Sequence, residues 1–136
     1  MILYQNGLIE LEYNPSTDVL QVALPNAHHI GINELQRCLD TIADYIQSYD
    51  VKKLLLDSSN SVIYALDEDS YRRIVSKFFS DLKKTRLQRF ARIGTSNHSH
   101  ETRSANITST MSLELLSSFA LETFPNQNIA MRWLLQ

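Results

Sequence analysis

Val51-Lys52-Lys53-Leu54-Leu55-Leu56-Asp57 is the stretch that decides the fold. Successive side chains of a strand point to opposite faces of its sheet, so a half-exposed strand alternates apolar with polar residues. Three leucines in a row break that alternation and require apolar cover on both faces, as in a parallel sheet. Parallel neighbours must be joined by long crossovers, usually helices. The flanking sequence supplies them.

Upstream, Ile32, Leu35, Leu39, Ile42, Ile46 and Tyr49 recur at steps of three and four, with Glu34, Arg37, Asp40 and Asp44 on other faces. This spacing predicts an amphipathic helix of about four turns, ended by Asp50. Downstream, Ser58 to Leu66 reads as loop. A second helix opens at Asp67-Glu68-Asp69, acidic residues where the N-terminal dipole favours them, and buries Tyr71, Ile74, Val75, Phe78, Phe79 and Leu82. Phe90-Ala91-Arg92-Ile93-Gly94 is the next short strand.

Further out, Leu8, Ile9, Leu11 and Tyr13 precede Asn14-Pro15-Ser16-Thr17-Asp18, which is turn chemistry, and Val19–Leu24 follows. Two apolar runs about such a turn predict an antiparallel hairpin. At the other end, Thr95–Ser104 is polar and Asn106–Leu116 forms a weak helix. Phe119–Phe124 reads as the last strand, and Pro125-Asn126 as a stop and a helix cap. Ile129, Ala130, Trp133 and Leu134 are the docking face of a terminal helix. The expected fold is α/β. It is a single open, mixed, mostly parallel sheet with an N-terminal antiparallel hairpin and four helices, in the order β-β-α-β-α-β-α-β-α. No linker or repeat divides residues 1–136, so one domain is expected.

At 136 residues, 43% hydrophobic and 21% charged, the chain can bury a core without a staple. The single cysteine, Cys38, can make no internal disulfide, which fits a reducing compartment. Met1–Asn6 lacks the basic region and long apolar core of a signal peptide, and no apolar run approaches the roughly 18–20 residues of a membrane span. A cytoplasmic protein without a membrane role is expected.

The net charge of −2 argues against a general nucleic-acid binder. The charge is unevenly spread. Residues 1–70 carry 11 acidic and 3 basic side chains, residues 71–136 carry 4 and 10. Lys77, Lys83, Lys84, Arg86, Arg89 and Arg92 form a basic run opposed only by Asp81. It reads either as a patch for an acidic partner or as a solvated helix end complementing the C-terminal dipole.

Three stretches resemble the small bacterial STAS/SEC14-like proteins, which share the fold of anti-sigma-factor antagonists. They are the hairpin Leu8–Leu24, the strand end Leu54-Leu55-Leu56-Asp57, and the close from Phe124 through Ala130 to Trp133-Leu134, which resembles that family's Phe-x(4)-Ala-x-x-Trp-Leu with one more residue before the alanine. The resemblance implies a STAS-like sheet and a non-catalytic regulatory or protein-interaction role. One departure counts against the family's phosphoswitch, an Asp-Ser-Ser/Thr-Gly pattern before the second helix. That junction, Ala65–Ser70, reads Ala-Leu-Asp-Glu-Asp-Ser, and Asp57-Ser58-Ser59-Asn60 falls too early. A phosphate on Ser70 would meet three carboxylates.

Of the residues that could carry chemistry, His28-His29 and His98-Ser99-His100-Glu101 hold imidazoles suited to zinc, but on no helical or strand scaffold; no metal or other cofactor is expected. Cys38 sits beside the apolar stripe of its helix and reads as a packed thiol. The serines lack a nucleophile elbow, and Gly7, Gly31 and Gly94 form no phosphate loop, so an enzyme is not expected. In an open parallel sheet, ligands bind beyond the carboxyl ends of the strands. That rule gathers Asn26–Ile32, Ser58–Leu66 and Thr95–Ser104 at one edge. The recognition residues expected there are His28, His29, Ser58, Ser59, Asn60, Tyr64, Asn97, His98 and His100. A protein partner is the first expectation, and a homodimer is compatible with it. A small ligand or lipid held by the same loops is the alternative.

Overall fold

Leu54-Leu55-Leu56 lies near the middle of a six-stranded sheet, buried on both faces as the triple leucine requires. The computed structural model describes residues 1–6, 8–24, 32–58, 68–94 and 119–136. The strands are β1 (Ile2–Gln5), β2 (Glu10–Asn14), β3 (Val19–Ala23), β4 (Lys53–Asp57), β5 (Arg89–Ile93) and β6 (Ala120–Phe124). The helices among the described residues are α1 (Ile32–Ser48), α2 (Glu68–Lys83) and α3 (Gln127–Leu134). The strands lie side by side in chain order. β1, β2 and β3 pair antiparallel, while β3, β4, β5 and β6 run parallel.

The period-two rule divides β4 between two cores. Leu54 and Leu56 pack with Leu20, Val22, Phe90 and the apolar stripes of α1 and α2. Leu55 turns the other way, to Val19, Ala91, Ile93 and the Ala130 and Leu134 of α3. Each fully buried leucine contributes on the order of 1.5–3 kcal/mol of transfer free energy. α1 and α2 contact each other over one face, so the two crossovers that carry the chain from β3 to β5 have the same hand. α3 covers β4, β5 and β6 on the other face.

Both ends of the chain correct the sequence reading. Ile2–Gln5 is an additional strand, paired to β2 with a register shift between Ile2 and Tyr4. Four residues are too short to display a period, so the strand is set by the neighbour it pairs with. At the other end Ile129 is exposed and Trp133 only half-buried; Ala130 and Leu134 make the buried contact of α3. Eight residues give little more than two turns, and only one side of them reaches the sheet. The fourth helix, expected at Asn106–Leu116, lies outside the described residues. Tyr49 falls beyond α1 and is exposed, stacking on Tyr45.

Candidate functional site at the carboxyl edge of the sheet

The parallel registers align Ala23 with Asp57, Asp57 with Ile93, and Ile93 with Phe124. The ladder runs one residue further. Leu24 N–H donates to Asp57 O (2.8 Å), Ser58 N–H to Ile93 O (3.1 Å) and Gly94 N–H to Phe124 O (3.2 Å). The chain therefore leaves β3, β4, β5 and β6 from one line, and α1, α2 and α3 each follow from that side. The register sets the carboxyl ends of β3, β4 and β5 along one edge, and the segments expected to gather there lie, apart from Ile32 and Ser58, outside the described residues.

Ser58 is the one expected recognition residue among the described ones. It is buried, and its hydroxyl donates to the Ile93 carbonyl at 2.5 Å, the same oxygen that its own N–H reaches. Its polar groups tie β4 to β5 where the sheet ends. His28, His29, Ser59, Asn60, Tyr64, Asn97, His98 and His100 lie outside the described residues. Among the described residues no three His, Cys, Asp or Glu side chains are placed to hold a metal ion, and both histidine pairs fall outside that set.

The sequence reading passed over two features near this edge. Arg92 is buried on the face shared with Phe90, its Nη1 3.4 Å from Thr123 Oγ1. Strand parity was the available signal, since residues 90 and 92 must share a face. Between the first halves of α1 and α2 runs a cleft of about 430 Å³, lined by Asn33, Gln36, Ser70, Arg73, Ile74 and Lys77. The polar spacing 70, 73, 77 opposite the apolar stripe of α2 marks that side in the sequence.

No match to this chain is found among family models, curated proteins or solved structures. Its own geometry is what bears on function.

The basic run does not stay together. Lys77 Nζ lies between Asp40 Oδ1 (2.7 Å) and Asp81 Oδ2 (2.9 Å), and these hydrogen bonds push its pKa up to about 12. Arg86 faces Asp50 at 3.8 Å, and Arg89 lies over the Trp133 ring, 5.5 Å from its centroid. With Arg92 buried, Lys83 and Lys84 are the exposed remainder at the end of α2, where cations suit the helix dipole. Cys38 is buried as expected. Burial, then the nearby Glu34 carboxylate, pushes its thiol pKa up, opposite to what a nucleophile needs. Among the described residues no helix is long and apolar enough to cross a membrane.

Proposed function

We propose that the chain is a non-catalytic, STAS-like regulatory or protein-interaction module of the cytoplasm that meets a protein partner at the carboxyl edge of its sheet. The carrying observation is the in-register line Leu24, Ser58 and Gly94. A line across four parallel strands spans roughly 14 Å, so the segments that leave it start side by side from one base, as recognition loops on a scaffold do. Ser58 supports the reading by bracing that base, since both its polar groups tie β4 to β5.

The test is a paired capture from native lysate using the full chain. One bait carries His28, His29, Asn97, His98 and His100 all changed to alanine. The control carries Thr17, Lys84 and Arg86 changed to alanine at the opposite edge. A partner identified by mass spectrometry should be lost from the first bait and kept by the control. Equal retention, or equal loss, rejects the edge as the binding surface.

A second reading, a small-ligand domain, is favoured by the cleft between α1 and α2. Among the described residues that line it only Ile74 is apolar, which suits a polar ligand better than a lipid.

A further inference from the structure

β1 runs along a margin rich in exposed apolar side chains. Three of the exposed large apolar side chains, Met1 (62%), Ile2 (54%) and Tyr49 (49%), lie along this one margin of the molecule. Tyr4 packs against Tyr45 at a centroid distance of 5.6 Å, and Tyr45 stacks on Tyr49 at 5.9 Å with ring planes 6° apart. The tyrosines flank the strand on the α1 side, and Ile2 is exposed at its start. β1 is an outer strand of the sheet, and among the described residues only β2 pairs with it. Its outward backbone groups are a template for another strand. Soluble proteins usually blunt such an edge with charge or proline, and Ile2-Leu3-Tyr4-Gln5 has neither. The register shift between Ile2 and Tyr4 is its one irregularity.

We infer that β1 is a self-association surface, pairing antiparallel with β1 of a second copy across a two-fold axis. Two properties of the chain select this occupant. The first is closure. The other outer strand among the described residues, β6, carries Glu122, and joining β1 to a neighbour's β6 would be a head-to-tail contact that continues from copy to copy. Pairing β1 with itself stops at two and places no charged side chain in the joined strands. The glutamates of the two β2 strands stay apart by the width of three strand spacings, roughly 14 Å, beyond the Debye length of about 8 Å at physiological salt.

The second is area. A standard interface takes about 800 Å² from each partner, roughly a tenth of a small protein's surface. Four residues of strand span only about 14 Å, so backbone pairing alone falls short of that. Met1, Ile2, Tyr45 and Tyr49 extend the strip on both sides of the sheet, as tyrosines do at interface cores. A strip of this length is a small interface, of the class that associates reversibly. The carboxyl edge of the sheet stays open in such a dimer, so this inference is independent of the function proposed above.

Sedimentation velocity of the full chain from about 10 µM to 1 mM tests it, with hydrogen exchange measured at both limits. The expected result is a reversible dimer, with slower exchange at high concentration at β1 amides. Ile2→Lys and Tyr49→Lys, both at exposed positions, should each weaken association by about tenfold or more while the thermal melt of the monomer is kept. A monomer at every concentration overturns the inference. So does a dimer that both variants form as readily as the parent, or one whose added protection lies outside β1.

Discussion

The Tyr13 hydroxyl donates a 2.7 Å hydrogen bond to Asp18 Oδ1, closing the turn between β2 and β3 on itself. Asp18 is held in the left-handed region, at φ 57°, and its carboxylate also receives Lys52 Nζ at 3.2 Å. The turn is thereby tied to the residue before β4. Because Asp18 accepts the phenol proton, it opposes ionisation of Tyr13, and burial and the Asp18 charge add to this; the pKa is pushed up to about 12.

A spectrophotometric titration should therefore show one of the six tyrosines ionising late, and Tyr13→Phe should remove that component. The folded pKa lies above the ordinary value of 10, so the contribution is complete below pH 10 and is lost as pH rises toward 12. Urea midpoints of the parent should fall over that window, and Tyr13→Phe should flatten the fall. An unchanged slope in the variant would refute the assignment.

Asp50 sits at φ 51° just past α1, and Val51 N–H donates to Ile46 O at 3.1 Å. That 6→1 bond, with Ile46 and Val51 both fully buried, is the Schellman close of a helix, whose left-handed position favours glycine. Asp50→Gly should stabilise the domain by about 0.5–1 kcal/mol, as relief of the Cβ penalty outweighs the added freedom of the unfolded chain. Thermal unfolding decides it. The 3.8 Å contact with Arg86 is exposed and contributes little to the balance.

Much of this was legible before the structure. The triple leucine at 54–56 specified a strand covered on both faces, because no half-exposed strand tolerates it. Asn126 accepts from Ile129 N–H at 3.0 Å, as a cap before a terminal helix should. β1 was not legible, since strand formation over Ile2–Gln5 depends on the distant partner β2. The basic run also misled, because sequence neighbours on α2 and β5 are carried to different faces. Lys77 finds Asp40 on α1, and Arg89 finds Trp133 on α3. At the candidate site, strand direction pointed to the edge without the strand order, and nothing in the sequence showed that Ser58 turns inward.

Trp133 is half-buried. Its ring packs on Phe124 at 5.5 Å beneath the Arg89 guanidinium, and Arg89 Nη1 donates to the Trp133 carbonyl at 2.6 Å. Truncating a fully buried aromatic costs about 3–5 kcal/mol, and Trp133 is only part-buried. Trp133→Ala should cost about 2 kcal/mol. The backbone acceptor survives the substitution, so Arg89→Ala should cost less. Urea unfolding of both variants checks the order, and a larger loss for Arg89→Ala would show that the hydrogen bond, and not the ring, holds α3 to the sheet.

Ser58 separates the architecture of the edge from its recognition. Its hydroxyl and its N–H both donate to Ile93 O, so Ser58→Ala removes one of two bonds and leaves that carbonyl satisfied. An intramolecular hydrogen bond of this kind is worth about 1 kcal/mol net, and no buried group is orphaned by the change. Ser58→Ala should therefore lower stability by about 1 kcal/mol in urea unfolding and leave capture of a partner at the carboxyl edge intact at temperatures where the variant is folded. Ser58→Asp should behave quite differently, because it places a charge in a site that is 7% exposed and turns a donor toward Ile93 O into an acceptor. Its loss of stability should be several-fold larger. If Ser58→Ala instead abolished partner capture with no change in the unfolding midpoint, the hydroxyl would belong to the recognition surface, and the inward bond to Ile93 would have to open when the partner binds.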